Sequence, residues 1–227
     1  MTVWIEVEEA LEAILNEYEK VNHLISLYQD NKARIIGLQM IRKSMGVAIE
    51  LGSGPGNFTR MISPIHKGSI ICIDYSDKMI NYARRHNQDK HVSYIRGVFE
   101  ALPIRRGCID LVAAAYALRD SLDKPQMYQE IGVVLKQEGC TLVIDIGKPD
   151  NPLLQSFMAL YMKYIPPVIG GLATGQGYRN PWSILYDTYR LLPSNSSLKK
   201  LMSLYLGKVK MNERMLGALV IAVAKKY

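Results

Sequence analysis

Cysteine is scarce: Cys72, Cys108 and Cys140 are the only three in 227 residues, each more than thirty from the next. With no CxxC pair and no Cys/His cluster, neither a disulfide framework nor a structural zinc module is expected, and no metal site is assigned. Long hydrophobic runs are missing as well. The longest, Leu216–Ala224, is about half of the ~20 residues that a bilayer-crossing helix needs. The first residues, Met1-Thr-Val-Trp-Ile-Glu-Val-Glu-Glu, are acidic where a secretory signal is basic. No internal repeat or low-complexity tract is present. These absences lead us to expect a reduced, cytoplasmic, soluble protein.

What is present is ordinary globular composition, 48% hydrophobic and 22% charged, which argues against disorder. The net charge of +7 favours an anionic partner without choosing between nucleic acid, a phosphorylated ligand and an acidic lipid surface. Apolar residues at helical spacing predict a helix over Val7–Tyr18 and a second over Ala33–Lys43. The period then changes. Val47–Leu51 predicts a buried strand entering the turn Gly52-Ser-Gly-Pro-Gly56, followed by a helix from Asn57 to Ile62 with Pro55 near its first turn. Further strands are expected at Ser69–Ile73, Val92–Ile95, Ile109–Ala115 and Thr141–Ile146. Ser76 and Asp123 are placed to cap the intervening helices, the second ending near Glu138-Gly139. This alternation calls for a Rossmann-like α/β fold, a mainly parallel sheet with helices on both faces.

Residues 148–195 break the rhythm. They hold most of the ten prolines, including Pro166-Pro167, beside Gly170-Gly171, and predict an irregular cover over a site. A helix from about Ser194 to Leu204 and two antiparallel strands, Lys208–Asn212 and Leu216–Val223, complete the chain. We therefore expect a single domain, 1–227. Its parts are a helical cap (1–44), a cofactor-binding core (45–147), a substrate lid (148–195), and a C-terminal helix and hairpin (196–227).

The strongest motif is Glu50-Leu-Gly52-Ser-Gly54-Pro-Gly56. Alternate glycines after a strand allow a sharp turn and close approach of a ligand, and a following helix start presents N–H groups to an acceptor such as a carboxylate. Asp74, 22 residues beyond Gly52, is placed to accept from both hydroxyls of a ribose. A dinucleotide loop, G-x-G-x-x-G, needs a third glycine where Asn57 stands. Glu50 suits a ligand carrying an ammonium group. S-adenosyl-L-methionine combines ammonium, carboxylate, ribose and adenine without a pyrophosphate, and is the expected cofactor. A surface turn and a dinucleotide site are the competing readings.

On these residues the chain resembles the class I S-adenosylmethionine-dependent methyltransferases. Within them it is similar to the C-methyltransferases of ubiquinone and menaquinone biosynthesis, over nearly its whole length. The more specific matches are Leu118-Arg119-Asp120 with Asp123, Lys148–Leu154, Pro166–Leu172 and Tyr18-Glu-Lys-Val-Asn22. The resemblance implies cofactor contacts from Glu50, Gly52, Ser53, Gly54, Gly56, Asp74, Tyr75, Met79, Val98, Phe99 and Tyr116. It also implies substrate contacts from Tyr18 and Asn22, with Tyr18 equally suited to core packing. Val98 stands where the family has an adenine-binding aspartate, Asp120 where it has asparagine, and Asp145 where it has glutamate.

Methyl transfer from a sulfonium is an in-line displacement that demands alignment and no metal. For an aromatic carbon acceptor, a base or a cation beside the phenol raises the ring's nucleophilicity. Arg119 and Asp120 are the catalytic candidates. Arg119 stays protonated, so it stabilises a phenolate or holds a relaying water; Asp120 is the base or pairs with Arg119. An exposed ion pair is the bland alternative. His23, His66, His86 and His91 read as surface or loop histidines. The resemblance implies an aromatic or prenylated quinone precursor as substrate, with transient contact at an anionic membrane face. Nucleic acid is not the expected partner, and a homodimer is left open. An RNA methyltransferase and a non-catalytic binding protein of the same fold are the alternatives.

Overall fold

The computed structural model describes residues 18–41, 46–175, 177–178 and 180–226, without the side chain of Tyr18. The helix expected over Val7–Tyr18 lies outside these residues apart from its last position. Short apolar runs form parallel strands β1 (Ala48–Leu51), β2 (Ile70–Asp74), β3 (Val92–Arg96), β4 (Ile109–Ala115) and β5 (Leu135–Ile146). The hairpin β6 (Lys208–Arg214) and β7 (Leu219–Lys225) joins antiparallel through β7, giving a seven-stranded sheet in the order β3-β2-β1-β4-β5-β7-β6. The mixed, mainly parallel sheet is the one expected.

Strand alternation divides the core. Ile49 and Leu51 face one side, packed with Met127, Tyr128 and Ile131 of α5 (Lys124–Val134) and Leu198 and Met202 of α7 (Asn195–Leu206). Ala48 faces the other, with Ile70, Cys72, Leu111 and Ile144, beneath α2 (Gln29–Met40). A buried Leu or Ile contributes about 1.5–3 kcal/mol on either face. Glu50 lies level with Cys72 on β2 and Ala113 on β4, an acid on an apolar face. Packing does not account for it. Gly37 brings α2 close to the sheet, since a Cβ there would come 2.8 Å from Ile144 Cδ1.

Local signals hold elsewhere. Ser76 caps α4 (Asp77–His86) by accepting from Met79 N, and Asp123 caps α5 by accepting from Gln126 N. The end of α5 differs from expectation. It stops at Val134, and β5 begins at once, with Glu138 at φ 62° and a register shift between Ile109 and Leu111. The Glu138-Gly139 turn is thus a bulge inside a strand.

The segment 148–195 departs most. Its central part is one continuous helix of 23 residues, α6 (Pro152–Thr174), capped by Asn151, which accepts from Leu153 N and Leu154 N. Pro167 removes the N–H that would have met the Lys163 carbonyl, and the Tyr178 hydroxyl donates to that carbonyl instead (2.8 Å). A Cβ on Gly170 would sit 2.5 Å from Trp182 Cε3, and one on Gly171 2.4 Å from Gly177 O. The glycines admit the turn Pro181–Ile184 against the helix. Tertiary partners compensate both kinds of helix breaker.

Candidate active site

Strand order reverses between β1 and β4, so the connections leaving Leu51 and Ala115 diverge and open a crevice at the C-terminal edge of the sheet. A cavity of about 400 Å³ lies there. Its floor is Glu50 and Gly52–Gly54, with Tyr116 and Arg119 beside them. One wall comes from α1 (Tyr18–Ile25), the turn after it and α2, through Asn22, Ile25, Asp30 and Arg34. The opposite wall is α6, through Leu154, Phe157, Met158, Tyr161 and Met162. The Tyr161 hydroxyl ties the walls together by donating to Ile25 O (2.7 Å).

The turn is built as its glycines require. Gly52, Gly54 and Gly56 have φ of 65°, 52° and 87°. A Cβ at Gly52 would lie 2.3 Å from Ala117 Cβ. We expect Gly52→Ala to push the two loops apart and to lower cofactor affinity at least ~10-fold, with a stability loss of about 1–3 kcal/mol. Titration calorimetry and thermal melts on the same preparation check both. The helix after the turn is shorter than expected. α3 (Thr59–Ile62) is a single turn without a side-chain cap, and Pro55 belongs to the turn, where Gly56 N donates to Ser53 O (3.0 Å). Gly54 N is also engaged, donating to Asp74 Oδ2 (2.7 Å), while Ser76 N donates to Asp74 Oδ1 (3.0 Å). Burial raises the Asp74 pKa, and these N–H donors oppose the rise.

Glu50 is buried and accepts from the Thr59 hydroxyl (2.6 Å). Burial pushes its pKa up to about 8; the Thr59 bond and the Arg34 charge work against that rise, and Asp74 adds to it. Ser53 Oγ is buried with no hydrogen-bond partner among the described residues, so the floor has a polar group to offer a ligand.

Tyr116 follows β4 at φ 62°, the left-handed region that a tyrosine rarely adopts. The turn this makes brings Arg119 round, and its Nη1 donates to Tyr116 O and to Asp145 Oδ1 (3.2 Å). Its backbone N donates to Asp145 Oδ2 (3.1 Å), and its Nε lies 3.4 Å from Asp120 Oδ1. Only 9% of the Arg119 side chain is exposed, which rules out the surface ion pair. Burial raises the Asp120 pKa to about 6, against the pull of Arg119 and with the push of Asp145.

The cavity thus unites Glu50, Gly52, Ser53, Gly54, Tyr116, Arg119 and Asn22. Asp120 stands behind Arg119 and does not line it. Gly56, Asp74, Tyr75, Met79, Val98 and Phe99 are also outside its lining, on the β2 side of the turn. Met79 is buried, Tyr75 and Val98 are exposed, and the Phe99 ring abuts Gly52. The Tyr18 side chain lies outside the described residues.

Sequence reading missed a buried polar group on the α1–α2 wall. Asp30 Oδ2 meets His23 Nδ1 (2.7 Å) and accepts from Arg34 Nη1 (3.0 Å), while its Oδ1 accepts from Ser26 Oγ (2.9 Å). His23 is therefore a partner of Asp30 rather than a loose surface histidine. Asp145 was missed as a site residue too; an acid inside the apolar strand Thr141–Ile146 was its signal.

A model of the ubiE/COQ5 methyltransferase family matches residues 3–226. The chain belongs to the ubiE/COQ5 methyltransferase family. This ubiE/COQ5 chain is 27% identical over 198 residues to the ubiquinone/menaquinone biosynthesis C-methyltransferase UbiE of Shewanella sp. (strain W3-18-1), spanning 84% of this chain and 78% of that one. It is 29% identical over 170 residues to the demethylmenaquinone methyltransferase of Lactococcus lactis subsp. lactis (strain IL1403), 72% and 68% of the two chains. Among solved structures it is similar to a SAM-dependent methyltransferase from Thermotoga maritima, with a TM-score of 0.70 at 17% identity, covering 97% and 100% of the chains. A second, from Methanococcus maripaludis, gives 0.63 at 17% identity over 96% and 93%. This ubiE/COQ5 protein is thus a methyltransferase with S-adenosyl-L-methionine as its methyl donor, which sets aside the dinucleotide site.

Proposed function

We propose that the chain methylates a ring carbon of a polyprenylated quinone precursor or a similar lipid-soluble aromatic. The observation that carries this reading is the two-sided cavity, with Arg119 at one end and the apolar face of α6 along a wall. A phenolic head and an isoprenoid tail need those two surfaces together. The names of the Shewanella and Lactococcus relatives support the same acceptor class.

The residues present suit the cofactor. Glu50 offers a carboxylate to an ammonium group, Asp74 stands at the strand end expected to meet the ribose, and the glycine turn leaves space that a Cβ at Gly52 would fill. Ser53 Oγ is an unused donor beside them. S-adenosyl-L-methionine, when bound, supplies an electrophilic methyl whose bonding pair to sulfur leaves with the thioether. In our reading the acceptor's phenol gives its proton to water, and Arg119 faces the resulting oxygen and stabilises the phenolate, so that electron density reaches the ring carbon; that carbon takes the methyl and then loses its own proton to water, which restores the aromatic ring. Asp145 and Asp120 hold the guanidinium in that orientation. Asp120, lying behind Arg119, is assigned the positioning role rather than direct proton abstraction. Asn22, whose Oδ1 accepts from Trp182 Nε1 (3.2 Å), lines the acceptor's side of the cavity. Segment 148–195 serves as the substrate cover, with α6 as its working face.

The test is an assay with the cofactor and a prenylated hydroquinone lacking the ring methyl, analysed by mass spectrometry. The proposal expects a gain of one methylene on a ring carbon, and much weaker turnover on the same head group without its tail. Cofactor binding without methylation of any such hydroquinone overturns it.

A transient membrane contact belongs to the same proposal. Leu153, Phe157, Leu160, Tyr164, Val168 and Leu172 form an exposed stripe along α6. That helix carries Lys163 as its one charge and no acid. Phe157 both belongs to the stripe and lines the cavity, which joins a lipid-facing surface to the substrate space. An anionic phospholipid surface suits this face of a chain of net charge +7. Among the described residues no helix is long and apolar enough to cross a membrane. We expect co-sedimentation with anionic vesicles at low salt, and a loss of more than about 10-fold in the variant L160D/L172D. A wild-type chain that stays in the supernatant removes the membrane contact.

A further inference from the structure

Arg34 is 7% exposed and lines the cavity together with Glu50 and the glycine turn. Its Nη1 is engaged, donating to Asp30 Oδ2 (3.0 Å) and Asn31 Oδ1 (2.8 Å). Its Nε is buried and has no hydrogen-bond partner among the described residues. The guanidinium lies over the Tyr116 ring, 5.3 Å from its centroid, and its charge reaches Glu50. Asp30 keeps the arginine in place and is itself gripped by His23 and Ser26. The cavity lining therefore includes an acid and a cation within reach of each other's charge, the cation with a donor in reserve.

An ionisable acid and a cation so placed match a zwitterion, an α-amino acid above all, whose ammonium group draws the acid into its charged form. The backbone offers less than the sequence suggests. The helix start expected to receive a carboxylate is a single turn, and Gly54 N is already committed to Asp74. We propose that Arg34 is the cofactor's carboxylate-binding residue, its Nε donating to the amino-acid end of S-adenosyl-L-methionine while Glu50 takes the ammonium group. This rests on the cofactor site proposed above and adds to it a residue from the N-terminal helices, 16 positions before Glu50. Arg34 binds and orients; it does no bond-making chemistry. Because the carboxylate is bound only when α1 and α2 are docked, the helical cap becomes part of the cofactor site.

The experiment compares S-adenosyl-L-methionine with its decarboxylated form, which keeps the ammonium and the sulfonium, by calorimetry on the intact chain. The wild type is expected to prefer the carboxylated compound. Arg34→Gln is expected to weaken that compound by about 10- to 100-fold, the range for a lost charge-assisted bond, and to leave the decarboxylated one within about threefold. Arg34→Lys keeps a cation opposite Asp30 while losing the Nε–H, and is expected to give a smaller loss confined to the carboxylated ligand. It decides the matter if the glutamine variant does not fold. Equal losses on both ligands, or a wild type indifferent to the carboxylate, overturn the role of Arg34 while leaving the cofactor site standing. A wild type that binds neither compound overturns the cofactor site and this proposal together.

Discussion

Arg119→Ala is expected to lower methyl transfer by at least ~100-fold, the usual effect of removing a donor aimed at developing negative charge. Cofactor affinity is expected to change by less than about threefold, because in the proposed arrangement the missing group faces the acceptor and not the sulfonium compound. The variant also carries a structural cost. Asp145 is buried and spends both oxygens on Arg119, and Asp120 leans on the same guanidinium. Stripping the cation from a buried carboxylate costs about 3–5 kcal/mol, so activity must be compared below the variant's own melting range. Arg119→Lys separates the effects. It restores a charge to Asp145 without the planar fork, and should recover stability more fully than turnover. Steady-state kcat alongside calorimetric cofactor affinity is the measurement. Undiminished kcat in the alanine variant removes Arg119 from the chemistry.

Glu50→Gln is expected to stabilise the ligand-free protein and at the same time weaken the cofactor. In the fold Glu50 holds its proton up to about pH 8, against an ordinary value of 4.5. Folding therefore binds a proton across that window, and stability contributed by the protonated group is lost as pH rises from about 4.5 through 8. The loss amounts to ~4 kcal/mol at the top of the window. Glutamine has no proton to lose. The two proteins should melt together near pH 4.5 and separate by roughly 10 °C at pH 9, the variant being the more stable. For the wild type, an ammonium ligand favours the ionised carboxylate, so affinity should climb as pH approaches 8, with proton release on binding. The variant should bind weakly and without that slope. Thermal melts and calorimetry across pH check both halves, and a wild-type melting profile that does not fall over this range contradicts the buried acid.

Much of this was legible along the chain because local chemistry and tertiary structure agree there. Ser76 and Asp123 cap the helices they precede, the glycine turn follows its strand, and Ile109–Ala115 is a strand from end to end. The failures share a cause. Asp30 and Arg34, four apart on a helix, look like a solvated pair. They are buried because Gly37 lets α2 settle on Ile144, a partner more than a hundred residues away. Prolines and glycines in 148–195 signal a break, yet Tyr178 and Trp182 supply the bond and the filling that allow α6 to continue. Asp145 stands between Ile144 and Ile146 and opposite Val220, and only the fold reveals that Arg119 meets it. Distant partners were the unreadable part.

The crevice at the β1–β4 switch is proposed to hold an adenosyl amino acid. A crystal structure with S-adenosyl-L-homocysteine tests it most directly. The amino-acid end is expected between Glu50 and Arg34, the ribose hydroxyls at Asp74, and the sulfur turned toward the Arg119 side of the cavity. A ligand bound elsewhere, or held there with its adenine between Glu50 and Arg34, would contradict it.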